Sequence, residues 1–252
     1  MSAAVDYYSD KFSINTNPIK GIMSTYQNKQ MYWYDINDMS TLYQDINGTI
    51  PVTDVGQKVA LIKDKTGNNN DMIQTNTSQQ FILKYDAINK SYYLETSAKD
   101  SRYMISKSVI AYNSPKFTLI SKVMRIDSEI AMILETSNNS NNYTGAWYFV
   151  NGEGSYAYTS NTRGGNGSSS SQYFGVGSSS QYLNEIETVT AVYNTVDPIS
   201  YIKYRNQVTS SKNNIGTINF NNFNLYMGCR GGTTLFTNTR IYNIIGIAEQ
   251  LS

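Results

Sequence analysis

The chain has 252 residues, with 20 basic and 19 acidic side chains, a net charge of +1 and no histidine. Without His it cannot build a Ser-His-Asp or Cys-His nucleophile or an HExxH zinc site. Its single Cys, Cys229, can close no intrachain disulfide or thiolate cage, and the balanced charge predicts no general pull toward nucleic acid or anionic lipid.

Polarity comes from 29 Asn and 29 Ser rather than from charge, and bulk comes from 22 Tyr. Tyr joins an apolar ring to a polar tip, which suits strands with one wet face. Residues 1–28 mix Asn, Ser, Lys and isolated apolar residues without a sustained period. They read as an N-terminal arm, docked on the domain or gripping a partner, ahead of one domain at 29–252. The opening MSAAVDYYSDKFSIN has no basic stretch followed by an apolar run, so no signal peptide is expected. No stretch approaches the roughly 18 apolar residues of a membrane span.

From Met31, MYWYD reads as a strand and DMSTLYQD as a helical turn capped by Asp38. Val59–Lys63 is a further strand, followed by the turn-rich loop KDKTGNNND, whose residue types cap their own turns. FILKYD, YYLE and YMIS come next, then the longer FTLISKVMRI and IAMILET, joined at Asp127-Ser128-Glu129 by an expected hairpin connection. GAWYFV, SYAYTS and QYFGVG continue the series, broken by RGGNGSSSS, whose Gly and Ser cannot fill a core. EIETVTAVYN, a turn at Asp197-Pro198, YIKYRNQV, TINF, FNLYMG and TRIYNIIGI complete it. Sustained 3.6-residue periodicity is absent after Val59, and turns recur every 8 to 12 residues or so. The reading is all-β: a two-sheet antiparallel sandwich in one domain.

Two binding readings follow from residue type alone. Asp64, Thr66, Asn68, Asn70 and Asp71 gather hard oxygen donors in one loop, the ligand type calcium prefers, although no Glu closes an EF-hand and Asx turns account for the same residues. Exposed aromatics could stack on sugar rings while Asn and Asp bond hydroxyls. The candidates are Tyr92, Tyr93, Tyr143, Trp147, Tyr148, Tyr156, Tyr158 and Tyr173. The group Tyr143, Trp147, Tyr148, Tyr156 and Tyr158, beside the Asn-rich SNNSNNYTG, is the favoured one. The arginines are scattered, with no basic aromatic stripe of the kind that binds single strands.

The segment from Trp33 to Asn70 also resembles the opening of concanavalin A-like (laminin G-like) jelly-roll domains in tailed-phage structural proteins. The matching residues are Trp33 and Asp35, the turn from Asp38 to Asp45, Gly56, Val59, and Asp64-Lys65-Thr66-Gly67-Asn68-Asn69-Asn70. The closing strands match the family's order more loosely. The resemblance implies a non-enzymatic virion surface protein on a fibre, spike or capsid. It would contact other virion proteins through the arm, and host glycans through the loops, as a homo-oligomer such as a trimer. Glucanases of this fold carry E-x-D-x-x-E, where this chain has Glu185, Glu187 and Thr190. With one carboxyl missing, a solvated strand face is the preferred reading of that pair, and a hydrolase or a dedicated lectin is the alternative.

Overall fold

The computed structural model describes residues 16–137, 144–163, 171–197, 200–212 and 214–251. In chain order the first strands are β1 (Met31–Asp35), β2 (Leu42–Tyr43), β3 (Lys58–Val59), β4 (Leu61–Ile62), β5 (Met72–Ile73) and β6 (Phe81–Asp86). They continue as β7 (Ser91–Glu95), β8 (Met104–Ser106), β9 (Lys116–Arg125), β10 (Ala131–Ser137), β11 (Trp147–Asn151) and β12 (Tyr158–Arg163). The series closes with β13 (Ser171–Val176), β14 (Ile186–Asn194), β15 (Ser200–Tyr204), β16 (Gln207–Ser211), β17 (Asn224–Met227) and β18 (Thr239–Ile247). The first sheet runs β16-β15-β14-β9-β18-β7-β6-β3, with β1 also on β18. The second runs β13-β12-β11-β10-β17-β8-β5-β4-β2. The two antiparallel sheets form a jelly-roll sandwich.

Alternation explains the core. Phe117, Leu119 and Val123 of β9 and Val189, Ala191 and Tyr193 of β14 point inward, where they meet Leu134, Trp147, Phe149 and Tyr158 of the second sheet. Phe117 is the hub, stacked on Trp147 at 4.7 Å and meeting Tyr112 edge-on at 5.1 Å. Burying each such side chain contributes about 1.5–3 kcal/mol before entropy is counted. Gly246 pairs with Tyr32, whose buried ring lies over the glycine backbone where a Cβ would overlap it.

Within the stretch read as an arm, Thr16–Thr25 forms a helix, α1. Its Ile19, Ile22 and Met23, with Tyr26 just beyond, fall at the i, i+3, i+4, i+7 spacing of a helix face. That face covers Met31, Trp33, Ile120, Ile245, Ile247 and Leu251 on the outside of the first sheet. Four residues are too short a run to stand out from their polar neighbours, and the reading of residues 1–28 as lacking a period missed them.

Several expected strands are divided or moved. Val59–Lys63 is two strands in different sheets, with Val59 paired to β6 and Leu61-Ile62 to β2 and β5, so the chain crosses the sandwich at Ala60. YIKYRNQV is a hairpin, because Arg205 takes a left-handed φ of 52° and turns β15 into β16. Asp127–Glu129 does not close a hairpin, since β9 and β10 belong to opposite sheets. TINF is irregular: Thr195 Oγ1 donates to the Ile218 carbonyl at 2.5 Å and Phe220 N–H to the Ser114 carbonyl at 2.8 Å, which takes its backbone out of any ladder. Asp38 does cap a short 3-10 turn at Met39–Thr41.

Candidate functional site

The strands β9 and β14 run antiparallel over nine paired residues, so the sandwich has two distinct poles. One gathers the end of β9, the start of β14, the β11–β12 turn and the β13–β14 connection. Gly152 and Gly154, at φ 70° and 66°, make that β11–β12 turn and place Glu153 between them. Tyr156 N–H donates to the Glu153 carbonyl at 3.3 Å, and Ala157 N–H donates to the Val176 carbonyl at 3.1 Å, which ties the turn to β13. The Tyr156 ring then lies over Gly175, where any Cβ would overlap it.

Tyr173 projects from the same outer face of β13. Tyr156 and Tyr173 remain 38 % and 39 % exposed in a protein whose other large rings are mostly in the core. The Thr159 hydroxyl donates to Glu153 Oε2 at 2.9 Å, which orients that carboxylate beside the rings. Burial, with the negative field of Glu153 and the neighbouring Tyr156, pushes the Tyr173 phenol up to about 12, so it stays neutral at ordinary pH. The result is a pair of aromatic faces flanked by a carboxylate and a phenol. Such a surface can hold the C–H face of a sugar while bonding its hydroxyls.

The pole is stiffened from below. Arg125, fully buried, donates from Nη1 to the Ser179 carbonyl at 3.1 Å and from Nη2 to the Gln181 carbonyl at 2.5 Å. These bonds pin the loop carrying the exposed Tyr182, and the Arg205 guanidinium stacks on that ring at 3.7 Å. No local pattern in the sequence distinguishes Arg125 from the other scattered arginines. Its position after the inward residues 117, 119, 121 and 123 is the one available signal.

Three of the five favoured sugar-stacking residues are misplaced for that role. Trp147 and Tyr158 lie on the inward faces of β11 and β12, Trp147 against Phe117 and Tyr158 stacked on Phe149 at 5.5 Å. Tyr148 points outward but is buried beneath Arg230, 5.2 Å from its ring, beside the Glu135 carboxylate. Tyr143 lies outside the described residues. Tyr156 is exposed, and Tyr173 joins it from the wider aromatic set.

Glu185 and Glu187 do not flank a cleft. Both bond one guanidinium: Arg205 donates to Glu185 Oε2 at 2.6 Å and through Nε to the two Glu187 oxygens at 3.0 and 3.2 Å. Glu187 is also buried rather than on a solvated strand face, and that burial raises its pKa against the pull of Arg205.

The Asp64–Asp71 loop is a hydrogen-bonded clasp on β1. Asp64 accepts from Trp33 N–H at 3.0 Å, Thr66 N–H at 3.0 Å, Thr66 Oγ1 at 2.8 Å and Asn70 N–H at 3.2 Å. Asn68 and Asn70 donate their amides to the Met31 carbonyl at 3.0 and 2.7 Å, while Asp71 accepts from Asp64 N–H at 2.9 Å. A calcium ion would have to displace these donors. Among the described residues no group of three or more His, Cys, Asp or Glu could hold a metal ion.

No family model matches the chain, and no curated protein matches it. Solved structures do. Botulinum neurotoxin type C, which depends on two ganglioside molecules to enter cells, is 12 % identical over 91 % of this chain and 50 % of its own, with a TM-score of 0.55. The binding domain of botulinum neurotoxin DC, solved with SialylT, is 15 % identical over 86 % of this chain and 50 % of its own, with a TM-score of 0.52. A Trypanosoma rangeli sialidase is 13 % identical over 94 % of this chain and 37 % of its own, with a TM-score of 0.51. The chain thus spans half or less of the length of these structures, and the likeness is one of fold.

Proposed function

We propose that this domain is a glycan-binding module whose stacking surface is Tyr156 and Tyr173, with Glu153 and the Tyr173 phenol as polar partners. The observation that carries the reading is the joint exposure of these two rings on one fixed face beside an oriented carboxylate. Structures of similar fold that interact with gangliosides, or were solved with SialylT, support the same choice of ligand class. We read the domain as a binder rather than an enzyme, because Glu185 and Glu187 are both occupied by Arg205. The resemblance of the Trp33–Asn70 segment adds a setting: the surface of a phage particle, where the module would recognise the host.

A glycan array followed by calorimetry on the best ligand tests the binding. Tyr156→Ala and Tyr173→Ala should each weaken it by about 1–3 kcal/mol if a ring stacks on the ligand, by analogy with base stacking. Tyr85→Ala, which removes an exposed ring from another part of the sandwich, should not. A silent array at high protein concentration, or equal losses in all three variants, would overturn the proposal. Polysaccharide turnover that disappears in a Glu185→Gln/Glu187→Gln double variant would favour the hydrolase instead. Mass spectrometry of purified particles tests the setting.

A further inference from the structure

The pole opposite the tyrosines carries a cleft of about 620 Å³, between the segment after α1, residues 111–116 and the end of β18. That volume lies within the range of about 300–1,000 Å³ typical of small-molecule sites. Its walls are fastened to the sandwich. Ala248 N–H donates to the Gln30 carbonyl at 2.9 Å, Lys116 N–H to Ser114 Oγ at 3.1 Å, and Thr195 N–H to the Pro115 carbonyl at 3.0 Å. The cleft is therefore walled by connecting segments that backbone bonds hold in place against the strands.

Its chemistry differs from that of the other pole. Tyr112 lines it but is buried, with its ring against Phe117, so no open aromatic face is offered. The lining is amide, hydroxyl and charge. Glu249 is already paired: Lys29 Nζ stands 2.8 Å from its Oε2, and Gln250 N–H donates to Oε1 at 3.1 Å. Burial by itself would raise the Glu249 carboxyl, but Lys29, the Gln250 N–H and the charge of Lys116 hold it below the ordinary value, so it stays ionised. Lys116 acts on Glu249 only through its charge, without a direct ion pair. Among the described residues its ammonium has no ion-pair partner, and the side-chain amides of Asn28 and Asn113 are likewise unengaged.

We propose that this cleft is a second binding site, for a hydroxyl-rich ligand carrying one carboxylate, such as a uronic acid unit of an acidic saccharide. Lys116 supplies the charge partner, and Asn28, Asn113 and Ser114 bond the hydroxyls. A single half-exposed lysine is worth little to a bare anion. A neutral sugar would use the amides and leave the ammonium unmatched, so a ligand with both features fits better than either alone. The site shares no residue with the tyrosine pole and stands or falls separately from it.

The test is calorimetry and saturation-transfer NMR on the full chain with D-glucuronate, D-glucose and sulfate as separate probes. Glucuronate should bind about fivefold more tightly than glucose, the scale of one half-exposed charge pair, and sulfate should bind more weakly than glucuronate. Lys116→Gln should abolish the preference for glucuronate at an unchanged melting temperature, and Lys116→Arg should restore it. Asn28→Ala should weaken both sugars together, while Tyr156→Ala should change none of these values. Equal binding of the two sugars, sulfate matching glucuronate, failure of all three probes, or an unaltered preference in Lys116→Gln would each overturn the proposal.

Discussion

Replacing Asp64 by alanine tests whether the Asp64–Asp71 loop is an internal clasp. The carboxylate accepts four hydrogen bonds, two of them from the N–H groups of Trp33, in β1, and Asn70. Trp33 and Asn70 are themselves buried, whereas Thr66 is half-exposed and can turn to water. A buried donor left without an acceptor costs about 1–3 kcal/mol, so two such donors predict a loss of about 2–6 kcal/mol. For a chain of this size each kcal/mol lowers Tm by about 2–4 °C. The variant should therefore melt roughly 5–20 °C below the wild type. Urea titration should give a lower midpoint at an unchanged slope, because the folded and unfolded surfaces are nearly the same. Asp64→Asn keeps one acceptor oxygen and should fall between the two. An Asp64→Ala protein melting within a degree or two of wild type would refute the clasp.

Gly246→Ala should destabilise the fold by about 1–3 kcal/mol through overpacking, since the Tyr32 ring it would strike is held in the core. Gly175→Ala meets the exposed Tyr156 ring instead, and should lower glycan affinity while leaving Tm nearly unchanged; chemical denaturation of both, with calorimetry of the second, separates the cases. Calcium in excess, compared with a chelator, should leave Tm unmoved, because the Asp64 oxygens are already bonded; a calcium-dependent rise would restore a metal site there. Carbon-13 tyrosine NMR should show Tyr173 titrating at about 12. Its neutral form is the one favoured by folding, so this group's contribution to stability is present below the ordinary value of 10.0 and is lost as pH rises from there toward about 12. Glu153→Gln should draw that titration downward, and a wild-type titration at the ordinary value would refute the assigned environment.

Much of the sandwich was legible because its long strands are bounded by turn residues. FILKYD at β6 and TRIYNIIGI at β18 stand as expected, and FTLISKVMRI differs from β9 by one residue at each end. Failures cluster where the backbone does something that composition does not encode. Ala60 carries the chain between sheets with no Gly or Pro to announce it, and Arg205 is a non-glycine residue in a left-handed turn. The site was half legible for a related reason. A period of two says which side chains share a face but not which face is inward, so Trp147 and Tyr158 looked equivalent to Tyr156 and Tyr173. Tyr148 shows a second limit: it faces outward, yet Arg230 from a distant strand end closes over it. The bonds of Glu185 and Glu187 to Arg205 likewise depend on a hairpin that brings residues some twenty positions apart together.

The two tryptophans occupy different layers. Trp147 is sealed in the centre of the sandwich against Phe117, whereas Trp33 lies on the outer face of the first sheet in the cluster covered by α1, with the Lys65 ammonium 4.2 Å from its ring. Intrinsic fluorescence therefore carries two separable signals. A Trp147→Phe protein would report the seating of the helix alone, and a Trp33→Phe protein the integrity of the interior. Emission from the pair can reveal whether the helix lifts away at milder denaturant than the sheets come apart, without attaching any external dye.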